Sequence, residues 1–227
     1  MIGLCARRAP LLEELAEKIR ATGAAAHVYA ADVGNTVEMQ QATADFLRDA
    51  GGVDLVIANA GIGIAHGTLE GKSEPIAKLM QVNVVGVTNT VVPFVPAMLR
   101  QKSGILAAVS SVAGHRGLPG RAAYSASKAA VITFMDALRL DLEGTGVHAM
   151  TLCPGFVHTP LTASLPGKLP FVIEVNEAVA QMARAVDQHQ KTFTFPWQVR
   201  VLSKVLKYAP EPFVRRISPP ARTHGSA

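Results

Sequence analysis

The stretch VDLVIANAGIGIAHG, Val53 to Gly67, runs from an apolar segment into closely spaced glycines. A strand entering a nucleotide-binding turn has that form. Gly61, Gly63 and Gly67, however, are spaced G-x-G-x-x-x-G, one residue longer than the G-x-G-x-x-G dinucleotide fingerprint. Gly71-Lys72-Ser73 ends like a P-loop, but His66 occupies the position of that motif's first glycine. The stretch therefore reads as a strand whose glycine-rich end is not itself a phosphate loop. Its neighbours must decide the fold.

On either side, strand-like and helix-like segments alternate, the pattern of parallel βαβ units. MIGLCA reads as a strand. A helix follows with Pro10 in its first turn, an apolar face of Leu11, Leu12, Leu15 and Ile19, and Gly23 beyond its end. AHVYAADV, GILAAVSS, VHAMTLCPG and KTFTFP are further strands. Helices are expected over Val37 to Leu47, roughly Ile76 to Gln101, Tyr124 to Glu143, and near Asn176 to Gln188. At 227 residues, 49% hydrophobic and 17% charged, the chain can bury one sizeable core. The apolar run Val84 to Leu99 is interrupted by Thr88, Asn89 and Thr90, and falls short of the roughly 20 residues of a membrane span.

Cys5 and Cys153 make no disulfide framework, and MIGLCARR has the reverse order of a signal peptide. A cytoplasmic setting is expected. The net charge of +5 is carried by the tail: from Trp197 on, Arg200, Lys204, Lys207, Arg215, Arg216 and Arg222 stand against one acid, Glu211. The body has no basic stripe for nucleic acid. No H-E-x-x-H or paired-cysteine spacing suggests a metal, and no G-x-S-x-G suggests a hydrolase elbow.

SSVAGHRGLPGRAAYSASK, Ser110 to Lys128, carries the chemistry. Tyr124 and Lys128 are four apart at a predicted helix start, so both side chains leave one face. A phenol with pKa near 10 is a poor acid-base catalyst at neutral pH. A nearby ammonium favours the phenolate, and reaching a pKa of ~7 takes ~4 kcal/mol of differential interaction. Ser111, after a predicted strand, can donate to a substrate carbonyl. Taken alone, Tyr-x-x-x-Lys is common, and a surface tyrosine beside a solvated lysine is its ordinary reading.

Together with Asn59-Ala60-Gly61 after a strand, Asn83 in a long helix, Ser111 thirteen residues before Tyr124, and Pro154-Gly155 after a later strand, the pattern resembles the short-chain dehydrogenase/reductase superfamily over about Ile2 to Pro196. The resemblance implies an α/β fold with a Rossmann-like doubly wound parallel sheet. It also implies hydride transfer between a nicotinamide cofactor and a carbonyl or alcohol. In that reading Tyr124 handles the proton, and Lys128 lowers its pKa and holds the nicotinamide ribose. Ser111 orients the carbonyl, and Asn83 anchors a water relay from Lys128. Asp32 and Val33 contact adenine, Asn59, Ala60 and Gly61 line the adenosine side, and Pro154, Gly155 and Thr159 flank the carboxamide.

The family's glycine-rich loop is not found. Thr22-Gly23 begins a similar phrase that Ala24 to His27 do not continue. The chain starts at the family's second strand, so the first strand and helix, about 25 residues, are expected to be absent. A mis-set or truncated start and a shortened homologue without cofactor binding are both open. At the end of that second strand, where an acid binds the ribose of NAD, stand Arg7 and Arg8; a guanidinium fork suits a 2′-phosphate, so NADP(H) is favoured over NAD(H).

The apolar, proline-rich segment Phe156 to Ile173 covers substrate in the family and implies a small apolar carbonyl or alcohol. His115, Arg116 and His158 lie near the expected mouth, where ordinary loop residues are the plainer reading. Residues 1 to 196 are expected to form the Rossmann-like domain, and residues 197 to 227 a basic amphipathic helix and tail. In the tail, Trp197, Val201, Val205 and Tyr208, with Leu202 and Leu206, share a face, and Arg200, Lys204 and Lys207 another. Residues 197 to 218 thus fit peripheral contact with an acidic membrane, or packing on the domain or a partner copy in a homo-oligomer. The competing reading to an oxidoreductase is a catalytically inactive truncated homologue acting as a binding or membrane-surface module.

Overall fold

The computed structural model describes residues 1–63, 70–163 and 169–217. His66 and Gly67 of the first stretch, residues 164–168 of the substrate-covering segment, and the tail from residue 218, with Arg222, lie outside the described residues. The chain runs β1 (Ile2–Ala6), α1 (Ala9–Arg20), β2 (Ala26–Ala30), α2 (Thr36–Ala50) and β3 (Leu55–Ala58). One continuous helical segment follows: α3 (Ser73–Met80), a π-helical turn (Gln81–Val85), α4 (Gly86–Val91), a 3-10 turn (Val92–Phe94) and α5 (Val95–Gln101). Then come β4 (Gly104–Val109), α6 (Ala122–Asp141), β5 (Val147–Pro154), the short α7 (Pro160–Ala163), α8 (Val175–Asp187), β6 (Thr192–Phe195), α9 (Trp197–Tyr208) and α10 (Glu211–Ile217).

Every ladder is parallel. β3-β4-β5-β6 form one sheet and β1-β2 a second. Strand alternation sorts the core into two layers. Val56, Ala58, Leu106, Ala108, Val147 and Ala149 pack with Val87 and Val91 of α4 and Val131 and Met135 of α6. The opposite parity, Ala107, Met150 and Leu152, packs with Ala185 of α8. Helices on both faces of a parallel sheet make the fold Rossmann-like and doubly wound, as expected. Among the described residues no strand lies between β1 and β3, and each keeps an unpaired edge, in agreement with the expected missing first strand.

The two sheets are joined by α2. Its cap is built locally: the Asn35 side chain accepts from the N–H groups of Val37 and Glu38, and Glu38 accepts from the Asp32 N–H at 2.8 Å. At its far end Gly51 takes the left-handed conformation, φ 72°. Phe46 of α2 packs edge-on against Tyr29 of β2 at 5.9 Å and against Phe94 at 5.8 Å. The helical segment from Ser73 to Gln101 has the length and hydropathy of a membrane span, yet Leu79, Val91 and Met98 are fully enclosed, so it is a core element here.

With no ladder between β1 and β3, the Phe46 contacts are one of the ties that hold the β1-β2 pair. Phe46→Ala is expected to cost about 3 kcal/mol, read as a lowered urea midpoint, with amide exchange rising first in residues 2–30. Unchanged protection there would show that the pair is held by other means.

Candidate active site

The four-stranded sheet releases its carboxyl ends on one edge, where ligands bind in open α/β folds. β3 leads to Asn59, Ala60 and Gly61, β4 to Ser110 and Ser111, and β5 ends at Pro154 before Gly155. Between that edge and α8 lies a pocket of about 870 Å³. Asn59, Gly61, Ser111, Tyr124, Lys128, Pro154, Gly155 and Thr159 are on its wall. Eight of the sequence-derived positions are thus brought together.

Tyr124 stands in the first turn of α6 and Lys128 one turn on, its Nζ 5.8 Å from the phenol ring centroid. Lys128 is only 4% exposed. Its Nζ donates to the Val109 carbonyl at 2.9 Å, and its own carbonyl accepts from Ser110 Oγ at 2.8 Å. Helix α6 is thereby clamped to the end of β4. Ser111 caps a 3-10 turn, Val112–Gly114, its Oγ accepting from the Ala113 N–H at 3.2 Å.

Burial dominates the electrostatics. It lowers the Lys128 ammonium to about 8. It raises the Tyr124 phenol above its ordinary value, while the Ser111 hydroxyl and the Arg121 charge pull the other way. At neutral pH the site therefore holds a protonated phenol beside a cationic lysine. The neighbouring Cys153 thiol is pushed up to about 12 by burial, which makes it a packing group.

Asn83 is fully buried within the π-helical turn. Its Oδ1 accepts from the Ile62 N–H at 2.8 Å, and its Nδ2 donates to the Ile62 carbonyl at 2.9 Å and to Ser127 Oγ at 3.1 Å. It pins the chain after β3 in place. A Cβ built at Gly61 would stand 3.4 Å, ordinary contact distance, from both Asn83 Oδ1 and Lys128 Nζ, so the chain after β3 lies directly against both side chains.

Arg7, Arg8, Asp32, Val33 and Ala60 are not on this wall. They follow β1, β2 and β3. Arg7 Nη1 lies 3.8 Å from Asp32 Oδ2, and Lys78 Nζ 3.9 Å from the same oxygen. The Val33 carbonyl accepts from Asn89 Nδ2 at 2.8 Å, which ties β2's exit to α4. His115 is turned toward β6, its Nε2 3.2 Å from Thr194 Oγ1. His158 lies 3.9 Å from Glu174.

Sequence reasoning missed most of the apolar wall. Leu55 and Ile57 of β3, and Val175, Val179, Met182 and Val186 of α8, line the pocket. The i, i+4, i+7, i+11 spacing in α8 was the available signal. Ser110 and the Val109 carbonyl, which hold Lys128, were also missed.

The family model described as short chain dehydrogenase matches residues 1–169. An uncharacterized oxidoreductase of Myxococcus xanthus is 39% identical over 209 residues, 91% of this chain and 81% of that protein. The 17-beta-hydroxysteroid dehydrogenase 13 of Rattus norvegicus is 31% identical over 210 residues, 91% of this chain and 70% of that one. Among solved structures, a short chain dehydrogenase/reductase from Burkholderia phymatum in complex with NAD aligns with a TM-score of 0.82 at 22% identity, over 99% of this chain and 88% of the other. A short-chain dehydrogenase from Sphingobium yanoikuyae in complex with NADPH aligns with a TM-score of 0.79 at 24% identity, over the same shares of 99% and 88%. At these identities the structural likeness speaks for the fold.

Asn83→Leu keeps the γ-branched outline, with bulkier methyl groups, but removes the partners of both Ile62 backbone groups. It is expected to cost about 2 kcal/mol, measured as the shift in urea midpoint. An unchanged midpoint would mean that the segment after β3 is positioned without Asn83.

Proposed function

The chain belongs to the short-chain dehydrogenase/reductase family, and on that premise we propose that it is an NADP(H)-preferring carbonyl reductase or alcohol dehydrogenase that works through Ser111, Tyr124 and Lys128. The observation that carries the reading is the meeting of these three side chains on one largely apolar pocket wall.

The pocket of about 870 Å³, with Gly61, Tyr124, Lys128, Pro154 and Gly155 on its wall, has room for a nicotinamide riboside. Lys128 and Tyr124 would hold its ribose, Pro154, Gly155 and Thr159 its carboxamide side, and Asn59, Ala60 and Gly61 the adenosine side, with Asp32 and Val33 at the adenine. When bound, the group supplies or accepts a hydride. β1 enters α1 through Arg7 and Arg8 with no glycine turn, so this connection gives the pyrophosphate no cradle of backbone N–H groups.

The chain's own residues handle the proton. In reduction, the substrate carbonyl oxygen accepts from the Ser111 hydroxyl and the Tyr124 phenol. The phenol proton passes to that oxygen as negative charge grows on it. The Lys128 cation, buried beside the ring, stabilises the resulting phenolate. Asn83 anchors the relay that returns a proton. Oxidation runs the same transfers in reverse and needs the phenolate first.

The exposed Arg7 is joined to Asp32 only by a long ion pair, worth about 0–1 kcal/mol. Its guanidinium can therefore turn to a 2′-phosphate, with Arg8 exposed beside it. The apolar wall favours a small apolar ketone or alcohol, and the name of the rat relative, a hydroxysteroid dehydrogenase, agrees. A homo-oligomer in a cytoplasmic setting belongs to the same reading.

One observation favours a second reading, a catalytically silent homologue serving as a binding module: the open edges of β1 and β3 beside a connection without a glycine turn. NADPH fluorescence titration of the 227-residue chain separates the two, since absence of binding supports the silent module.

With apolar ketones and NADPH, Tyr124→Phe is expected to lower kcat about 10²–10⁴-fold while NADPH binding persists. Activity surviving that change removes the proposed chemistry. NADH-linked rates above NADPH-linked ones remove the cofactor preference. The pH profile has a definite sign. Lys128 is cationic below about 8 and loses its charge above it, so kcat/KM for reduction should fall as pH rises past that value. Alcohol oxidation needs the phenolate beside the cation, so its rate should rise with pH up to about 8 and level off once Lys128 loses its charge. A reduction rate that climbs through pH 8 contradicts the assignment of Lys128.

A further inference from the structure

Helix α9 has two apolar faces. One is used: Val199 and Ser203 are buried, Leu202 and Leu206 half-buried, and the helix rests on β6 and on the 3-10 turn after Ser111. A Cβ at Gly155 would stand 3.0 Å from Val199, so the helix leans directly on the pocket rim. Arg116 fastens its end, donating to the carbonyls of Lys207 and Ala209, each at 3.3 Å. The other face is turned outward. Trp197, Val201, Val205 and Tyr208, one stripe at i, i+4, i+8 and i+11, are 66%, 52%, 53% and 81% exposed. The six apolar positions grouped in the sequence thus divide between inside and outside.

Along one flank of this stripe run Arg200, Lys204 and Lys207, all exposed. No ion pair joins them to a carboxylate among the described residues. Aromatic side chains with a polar atom stand at both ends of the helix, the arrangement favoured at a membrane–water interface.

We infer that the outer face of α9 docks on an anionic lipid bilayer, with Trp197, Val201, Val205 and Tyr208 entering the headgroup region and the three cations meeting lipid phosphates. Charge selects this occupant over a second copy. An isologous contact through the stripe would bring Arg200, Lys204 and Lys207 of two copies together in a tail that already carries +5. A negatively charged surface complements the same groups. Because α9 leans on Gly155 and on the turn after Ser111, docking would hold the pocket rim near the lipid.

The full chain is mixed with phosphatidylcholine vesicles and with vesicles in which about one lipid in three is phosphatidylglycerol, which supply the negative surface. Sedimentation and the emission of Trp197, the chain's single tryptophan, are followed. Binding to the anionic vesicles is expected to exceed that to neutral ones about tenfold or more, to weaken with salt, and to blue-shift the emission. Lys204→Glu with Lys207→Glu should abolish that preference, and Val201→Asp with Val205→Asp should lower binding to both vesicle types. If the second pair does not fold, the lysine pair carries the same decision. Equal pelleting with both vesicle types, unshifted emission, or variants that pellet like the parent would each overturn the inference. A change from oligomer to monomer in either variant, with vesicle binding unaltered, would assign the face to a second copy instead.

Discussion

The site depends on a lysine kept inside the protein with no carboxylate paired to it among the described residues. Burying an ammonium is costly, and the response is visible in Lys128, whose pKa falls to about 8. What retains the cation is the Val109 carbonyl, the last acceptor of β4, with the ring of Tyr124 at 5.8 Å. A strand ending one residue earlier would leave no acceptor there. A helix starting one residue later would swing Tyr124 to another face by about 100°. The register of α6 against β4 therefore fixes where Tyr124 and Lys128 stand, and the Ser110 hydroxyl bonded to the Lys128 carbonyl locks it.

Local periodicity made much of this legible before any coordinates. Tyr124 and Lys128 share a face because an α-helix repeats every 3.6 residues, and Ser111 follows a strand whose apolar run marks it. Asn83 was legible as a residue type in a long helix, but not its geometry. The π-helical turn that holds it is next to Gly86, where a Cβ would meet Val33 at 2.7 Å. That contact, across more than fifty positions of sequence, leaves no periodic trace. The same holds for α8, whose apolar residues read simply as a core face. In α9, six apolar residues spread over a helix face too wide to point one way, and only docking against Gly155 and the turn after Ser111 selects which of them go inside.

Between β1 and β3 no ladder runs, so the two sheets meet through other contacts. The β1-β2 pair is attached through side chains: Phe46 between Tyr29 and Phe94, Asn89 to the Val33 carbonyl, and Gln81 to the Gly34 carbonyl at 2.6 Å. Such contacts are fewer and more local than a ladder. They place the exit of β2 against the long helical segment, which is the segment that also carries Asn83.

The apolar wall follows from strand alternation combined with limited helix cover. On β3, Val56 and Ala58 face α4 and are buried, which forces Leu55 and Ile57 to the other face. On β4 and β5 that other face is covered by α8, through Ala107, Met150, Leu152 and Ala185. At β3 the cover ends, and Leu55 and Ile57 are 41% and 45% exposed. The pocket is apolar because it is bounded by an uncovered part of a core face. A core face lacks polar partners, so a bound apolar molecule there excludes water from the neighbourhood of Tyr124 and Lys128. With water excluded, the attraction between a developing phenolate and the lysine strengthens as the local dielectric falls. In the proposed mechanism, the same geometry that makes the wall apolar would strengthen the pairing of the Tyr124 phenolate with Lys128.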